Sequence, residues 1–337
     1  MDAQTIKPAI FTIPTIPSVL ELKDYLGAIK VRWGIGRDNY TVTPGLYKVG
    51  KPDSTSDVFV SANYKLSFDI LRKNLNSLNA WILVIDTKGI NVWCAAGKGT
   101  FGTDNLVKSI KTTSLENIVK HRNIIVPQLG AVGVASHTIK EQTGFKVIYG
   151  PIQAKQIKAF VDAGYKATPE MRKINFPFIE RAKLVPVDFM YGKYKLLIGI
   201  AFLFFLSGLD RTGFIFLKMI NTCFYPIINI VGAYICGIVI APMFLPFIPL
   251  RAFALKGAFW ALLFTGILNL FFQANTLELL SMSLINLSVA SFMTMNFTGS
   301  STYTSLSGVK KEMNWAIPFQ IAFALIGIIL YIISKVV

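Results

Sequence analysis

Cysteine and histidine are scarce in this chain, with three cysteines far apart from one another and two histidines in 337 residues. That spacing excludes a disulfide framework, a zinc knuckle and a thiolate-held iron–sulfur cluster, all of which repeat thiols at short intervals. No H-E-x-x-H, no Ser-His-Asp order and no paired carboxylates occur, so hydrolytic chemistry has no candidate site. G-x-G-x-x-G and the P-loop are missing as well, which leaves nucleotide binding without support. Charge almost disappears after Lys195. Up to that residue there are 27 Lys and Arg against 15 Asp and Glu, a formal +12, and beyond it only seven and three.

What replaces charge after Leu196 is a succession of apolar runs that a water-soluble fold has no use for. A bilayer core takes about 20 apolar residues in a helix. Five spans are predicted, at 194–211, 221–245, 253–274, 277–296 and 314–334. The second carries Pro226, Pro242, Pro246 and Pro249, each of which removes an amide donor and can kink or end a helix. Cytoplasmic flanks carry the excess of positive residues. With the N-terminal part inside, those flanks hold Arg181, Lys183, Lys193, Lys195, Arg251, Lys256, Lys310 and Lys311, against Arg211, Lys218 and Lys335 outside. The expected location is therefore the cytoplasmic membrane, multi-pass, with the N-terminal domain in the cytoplasm. Met1 to Val31 lacks a basic start followed by an apolar core, so no signal peptide is expected.

The basic residues of the first part are spread through the sequence instead of forming a stripe, which argues against nucleic acid and for anionic lipid, an acidic partner or an acidic ligand tail. Between Asp57 and Asp188, short runs of β-branched residues alternate with amphipathic stretches, the mark of βαβ units and a parallel sheet. Strands are predicted at Val58–Ala62, Trp81–Asp86, Ile124–Val126, Lys146–Tyr149 and Leu184–Asp188, and helices between them, for instance Ser67–Leu78 and Gln153–Ala163. Residues 1–56 are less regular. The expected fold class is α/β over residues 1–190, followed by an all-α five-helix transmembrane domain over 191–337. In such sheets ligands bind beyond the carboxyl ends of the strands. Four turn segments sit there: Ser61-Ala62-Asn63-Tyr64-Lys65, Asp86-Thr87-Lys88-Gly89, Val126-Pro127-Gln128-Leu129-Gly130-Ala131 and Gly150-Pro151.

The stretch Gly89-Ile90-Asn91-Val92-Trp93-Cys94-Ala95-Ala96-Gly97-Lys98-Gly99 reads as a short capped helix after the strand ending at Asp86. Asn91 suits an N-cap and Gly97 or Gly99 a C-terminal stop. Cys94 then stands at the third helical position, where first-turn amides, the helix dipole and Lys98 favour a negative sulfur. Unpaired cysteines are usually small core residues. A cysteine in the first turn of a glycine-bounded helix, at the ligand-binding edge of a sheet, is better placed to react or to bind a metal. Ala95 and Ala96 are small enough for a large flat ligand to lie close, with Trp93 beside it. Cys223 and Cys236 fall inside the second span and suit apolar packing.

Asn91-Val92-Trp93-Cys94-Ala95-Ala96-Gly97-Lys98 is identical to the cap-helix signature of the mercury-methylation corrinoid protein family, HgcA. Trp33-Gly34-Ile35-Gly36-Arg37 with Asn39-Tyr40, Val126 to Ala131, Ala167-Thr168-Pro169-Glu170-Met171-Arg172, and Phe297-Thr298-Gly299 leading into Thr304 to Met313 also resemble family segments. Ser61 stands where some relatives carry Thr, which keeps a hydroxyl. The resemblance implies a Rossmann-like, corrinoid-binding soluble domain similar to corrinoid iron–sulfur proteins, then a membrane domain. It implies contact with the corrinoid from Ser61, Ala62, Asn63, Tyr64, the segment Asn91 to Lys98, Val126, Pro127, Gln128, Gly130, Ala131, Gly150 and Pro151, with Cys94 facing cobalt from the lower side.

The Asp-x-His-x-x-Gly turn that supplies the lower cobalt ligand in many cobalamin proteins is absent around His121 and His137, and both histidines are expected to be structural or at the surface. Thiolate is a soft, electron-rich donor suited to a transition metal. The resemblance implies methyl transfer from cobalt to Hg(II), electrons from a ferredoxin-like iron–sulfur protein, and a folate-type methyl donor or its methyltransferase. The membrane part, with few polar residues beyond Asn229, Gln273 and Asn286, reads as an anchor in the lipid bilayer. Two other readings stay open: a corrinoid methyl carrier of one-carbon metabolism, and a transporter with a regulatory soluble domain.

Overall fold

In the computed structural model, which describes residues 13–297 and 306–337, the chain divides into two compact units. The first comprises the described residues up to Val31 and Ile35–Ile174; the second comprises Arg32–Gly34 and Asn175–Val337.

The first unit runs β1 (Thr15–Ile16), α1 (Leu22–Arg32), β2 (Gly45–Val49), β3 (Val58–Ala62), α2 (Lys65–Asn74), β4 (Ala80–Ile85), α3 (Val92–Lys98), α4 (Thr103–Thr112), β5 (Asn123–Val126), α5 (Ser136–Thr143), β6 (Lys146–Tyr149) and α6 (Ile157–Asp162). The strands form one sheet in the order β1-β2-β4-β3-β5-β6. β3, β4, β5 and β6 are parallel, and β2 lies antiparallel on β4. Every residue of β3 and β4 is buried, as expected of parallel strands covered on both faces. Alternation sends Val58, Val60 and Ala62 into one core with α3 and α4, and Phe59 into the other with Phe68, Leu71 and Phe160. The chain leaves β3 to one side for β4 and passes to its other side for β5. The connections therefore reverse between β3 and β5, and a crevice opens at the carboxyl ends of those two strands.

α1 is held against α2 by charge. Asp24, buried, receives Arg72 Nη2 and Lys65 Nζ at 2.6 Å each, while Asp69 receives Arg72 Nε at 2.8 Å and Lys65 Nζ at 2.6 Å. Burial alone pushes the Asp24 carboxyl up, but hydrogen bonds from Lys65, the Glu21 amide and Arg72 outweigh it and hold the pKa at about 2, against an ordinary 3.8. A lowered carboxyl pKa stabilises the fold above the unfolded value and loses that contribution as pH falls through the folded one. Urea unfolding followed by circular dichroism is therefore expected to show stability falling between pH 4 and pH 2. Asp24→Asn should weaken that step and cost about 3 kcal/mol at neutral pH, because it leaves Asp69 alone to balance the buried Arg72 and the partly exposed Lys65.

The second unit runs α7 (Phe178–Ala182), α8 (Val185–Leu206), a hairpin of β7 (Leu209–Asp210) and β8 (Gly213–Phe214), α9 (Phe216–Thr222), α10 (Phe224–Ile235), a π-helical turn Cys236–Ile240, α11 (Ala241–Met243), α12 (Phe253–Phe272), α13 (Thr276–Asn296) and α14 (Leu306–Val336). Five helical stretches are long and apolar enough to cross a membrane: Phe178–Leu206, Phe224–Met243, Phe253–Phe272, Thr276–Asn296 and Ser307–Val336. The proline-bearing second span holds because Pro226 sits in the first turn of α10, where no amide is needed, and Pro246 and Pro249 lie beyond its end. Asn286 Nδ2 donates to Asn229 Oδ1 at 2.7 Å and to Thr265 Oγ1 at 2.8 Å, tying α10, α12 and α13 together.

One predicted strand is corrected. Leu184–Asp188 opens α8, with Pro186 in its first turn. Proline fits a first helical turn and not the interior of a sheet. The family-like segment from Thr298 to Ser305 lies outside the described residues.

Candidate functional site

α3 follows β4 through the loop Asp86–Ile90, and the helix is built as its sequence reads. Asn91 adopts extended backbone and its Oδ1 accepts the Cys94 amide at 3.0 Å. Gly99, at φ 81°, closes the helix, and its amide bonds back to Ala95 and Ala96 carbonyls. Gly97 lies inside the helix instead of ending it. Cys94 is the third helical residue and is exposed.

The loop before α3 is fastened by Asn63, at the end of β3. Its Oδ1 accepts the Thr87 amide at 3.0 Å, the Thr87 hydroxyl at 2.8 Å and the Gly89 amide at 3.0 Å. Its Nδ2 donates to Asp86 Oδ1 at 3.2 Å. Lys88 and Gly89 take positive φ, and an added Cβ at Gly89 would press on Thr41 and the Asp38 carbonyl. One buried amide on β3 thus sets where the cap helix begins.

A cavity of about 310 Å³ opens in the crevice between β3 and β5. Among its walls are seven residues expected from sequence: Ser61 from β3, Asn91, Val92 and Trp93 from α3, Pro127 after β5, and Gly150 and Pro151 after β6. Trp93 is 39 % exposed at this wall, and Cys94 follows it on the outward side of α3. The lining also includes residues that sequence reasoning passed over, chiefly Ser67, Ile70 and Leu71 of α2 and Ile152 and Ile157. Their signal was the i, i+3, i+4 spacing of Ser67, Ile70 and Leu71 on the helix after β3.

Several expected ligand contacts turn inward. Ala95 and Ala96 are buried in the core with Ala62 and Val126, so their small size serves packing of α3 on the sheet and not a ligand above it. Gly133 shows the tightness, since a Cβ there would meet Ala96 Cα at 3.3 Å. The outward clearance comes from Gly97, where an added Cβ meets nothing within 4 Å. Asn63 is consumed by the loop, and Tyr64 is buried edge-on to Tyr40 with Arg37 over its ring. Gly130 packs beneath Phe101. Ala131 follows in the same turn, outside the cavity wall. Lys98 is exposed in the last turn of α3. Gln128 Oε1 is buried and has no hydrogen-bond partner among the described residues.

The remaining metal-binding types are accounted for. His121 Nε2 lies 2.9 Å from the Ser56 carbonyl and its Nδ1 accepts the Asn123 amide, a structural arrangement; His137 is exposed on α5. Cys223 and Cys236 are buried, their thiols directed to the Ile220 and Trp260 carbonyls. No cluster of three or more His, Cys, Asp or Glu is found among the described residues.

Residues 21–161 match the family model of the CO dehydrogenase/acetyl-CoA synthase delta subunit. The acetyl-CoA decarbonylase/synthase complex subunit gamma of Methanopyrus kandleri is 30 % identical over 128 residues, covering 37 % of this chain and 27 % of that protein. The same subunit of Archaeoglobus fulgidus is 30 % identical over 142 residues, 41 % of this chain and 30 % of its own length. The corrinoid/iron-sulfur protein large subunit of Moorella thermoacetica is 32 % identical over 120 residues, 35 % of this chain and 26 % of its own. The chain thus spans less than a third of each of these relatives, and the family match falls in the unit that carries the capped cysteine and the cavity.

Proposed function

We propose that the chain is a membrane-anchored corrinoid methyltransferase that passes a methyl group from cobalt to Hg(II), giving methylmercury, in which the Cys94 sulfur would hold the corrinoid's cobalt. The observation that carries this reading is Cys94 itself: an exposed thiol in the first turn of a capped helix, beside a cavity at the switch point of a parallel sheet. A relative named for its corrinoid is 32 % identical over 120 residues, the family match covers residues 21–161, and the eight residues Asn91 to Lys98 resemble the mercury-methylation cap-helix signature.

The residues fit a large flat group with a soft metal at its centre. The clearance at Gly97 leaves room beside the sulfur, Trp93 offers an aromatic face at the cavity wall, and Gln128 Oε1 is an acceptor awaiting a donor. Ser61, Asn91, Trp93, Pro127, Gly150 and Pro151 would hold an edge of the corrinoid. The group supplies a cobalt–carbon bond that can be cleaved with the electron pair on carbon. The chain's part is to donate electron density from Cys94 sulfur, and to fix that sulfur through Asn91 and the Asn63-bound loop. Hg(II) is the substrate, an electrophile that accepts the methyl group with its pair. With three isolated cysteines the chain offers no set of cluster ligands, so electrons come from a separate ferredoxin-like iron–sulfur protein. The methyl group comes from a folate-type donor or its methyltransferase. The five apolar helices anchor the chain in the cytoplasmic membrane, with the first unit in the cytoplasm.

A second reading is favoured by the relatives themselves: a corrinoid methyl carrier of one-carbon metabolism, with mercury only an incidental acceptor. Purified full-length protein reconstituted with a cobamide separates the possibilities. Uptake of one cobamide, with methylmercury formed from a methylated preparation and Hg(II), is the expected result. Uptake without Hg(II) methylation favours the carrier, and no uptake rejects both.

A further inference from the structure

α1 is built inside out. Its inward face carries Asp24 and Val31, the first locked by Lys65 and Arg72, while Leu22, Tyr25, Leu26 and Ile29 point away from the unit. These four stand at i, i+3, i+4 and i+7, the spacing of one helix face, and are 47 to 73 % exposed. Val19 before the helix and Ile35 after it extend the apolar surface, at 73 % and 57 %. A contiguous apolar stripe left facing outward marks an interaction surface.

We propose that α1 is an in-plane membrane anchor that lays the first unit on an anionic lipid surface. Its 11 residues make a rod of roughly 16 Å, too short to cross a bilayer but suited to lying in its interface. The flanks are cationic. Lys23 and Lys30 border the stripe on one side, and Lys73 of α2 reaches Tyr25, with Nζ 5.5 Å from the ring centroid and 3.4 Å from the hydroxyl. The one acid inside the helix, Asp24, is already neutralised at the buried face, so it does not repel lipid phosphate. Glu21 is paired to Lys23 at 2.8 Å. Tyr25 has the amphipathic ring favoured at the headgroup level. The same chain carries five helices able to cross a membrane, which keeps this face at high effective concentration near a bilayer. That tether favours lipid over a separate protein as the occupant.

The test uses full-length protein in nanodiscs and requires no corrinoid, so its outcome is independent of the function proposed above. In a Cys94→Ser background, Leu26→Cys is labelled with an environment-sensitive fluorophore, and Val132→Cys, at a position 86 % exposed, serves as control. Discs of phosphatidylglycerol with phosphatidylcholine, containing doxyl-labelled lipid, are compared with phosphatidylcholine alone. Strong quenching at position 26 in the anionic discs, none at 132, and a loss of at least about fivefold on Lys23→Glu with Lys30→Glu are expected. Quenching at 26 no greater than at 132, or unchanged by the two charge reversals and by lipid charge, overturns the proposal. Shielding of the label that appears only when a soluble electron-donor protein is added replaces it with protein docking.

Discussion

On the proposed reading, replacing Cys94 by Ala is expected to abolish methyl transfer to Hg(II), by at least about two orders of magnitude, while cobamide uptake persists. The separation follows from geometry. The cavity is walled by Ser61, Trp93, Pro127, Gly150 and the apolar face of α2, none of which needs the thiol, and Cys94 is exposed, so its removal leaves no void in the core. What is lost is electron donation to cobalt. The absorption spectrum of bound cobamide should therefore shift to that of cobalt without a sulfur ligand. Cys94→His should give a third spectrum, with a harder nitrogen donor and partial activity at most. Cys223→Ala and Cys236→Ala are expected to leave both readouts unchanged, because those thiols are buried and bonded to helix carbonyls. A Cys94→Ala protein that methylates Hg(II) at the parental rate would remove the axial-ligand reading altogether.

The second large effect falls on a residue that does not touch the cavity. Asn63→Ala leaves the Thr87 and Gly89 amides without their acceptor, while the Thr87 hydroxyl keeps the Ile90 carbonyl at 2.7 Å, and each unmet buried donor costs about 1 to 3 kcal/mol. The loop gives way first, and with it the position of Asn91 and the sulfur three residues later. The expected result is a mixed cobalt spectrum, part sulfur-ligated and part not, with methyl transfer reduced about a hundredfold and the sheet's circular dichroism retained. Asn63→Asp keeps the three-fold acceptor but sets a second carboxylate against Asp86, now 3.2 Å from Nδ2. Adding Asp86→Asn restores an amide and a carboxylate across that gap, and the sulfur-ligated spectrum should recover in the double variant. A uniform loss of secondary structure in Asn63→Ala, or no recovery in the pair, would make Asn63 a general stability residue instead of a positioning one.

How much of this was legible beforehand depended on whether local pattern and tertiary environment agreed. Val58–Ala62 was readable to the residue because it is buried throughout and shows as a short apolar run, and Lys146–Tyr149, at the sheet's edge, because Val147-Ile148 stands between the turn residues Gly144 and Gly150-Pro151. α1 was not, because an acid, Asp24, is inside and the leucines are outside with Lys23 and Lys30, which leaves no core-facing apolar stripe to read. β2 escaped notice for lack of a signal, a five-residue strand between β1 and β4 with a glycine at one end. Val185-Pro186-Val187 looked like the end of a sheet, yet its β-branched residues begin a helix.

The site divides the same way. Asn91 and Cys94 lie within one turn of each other, so spacing alone revealed the cap. Asn63 sits 24 and 26 residues from Thr87 and Gly89, and a polar residue at the carboxyl edge of a sheet looks like a ligand contact until its partners are seen. Ala95 and Ala96 were read for their size, which was right, and for their direction, which only the packing against the sheet decides.

Gly97 sets two demands against each other. The fold itself has open space there, and alanine in place of glycine inside a helix is ordinarily worth about 1 kcal/mol. Thermal selection therefore pulls this position toward a side chain, whereas the flat ligand proposed above would pull it toward hydrogen. On that reading the cap helix gives up stability it could have, and the missing methyl group is the headroom the proposed chemistry would occupy.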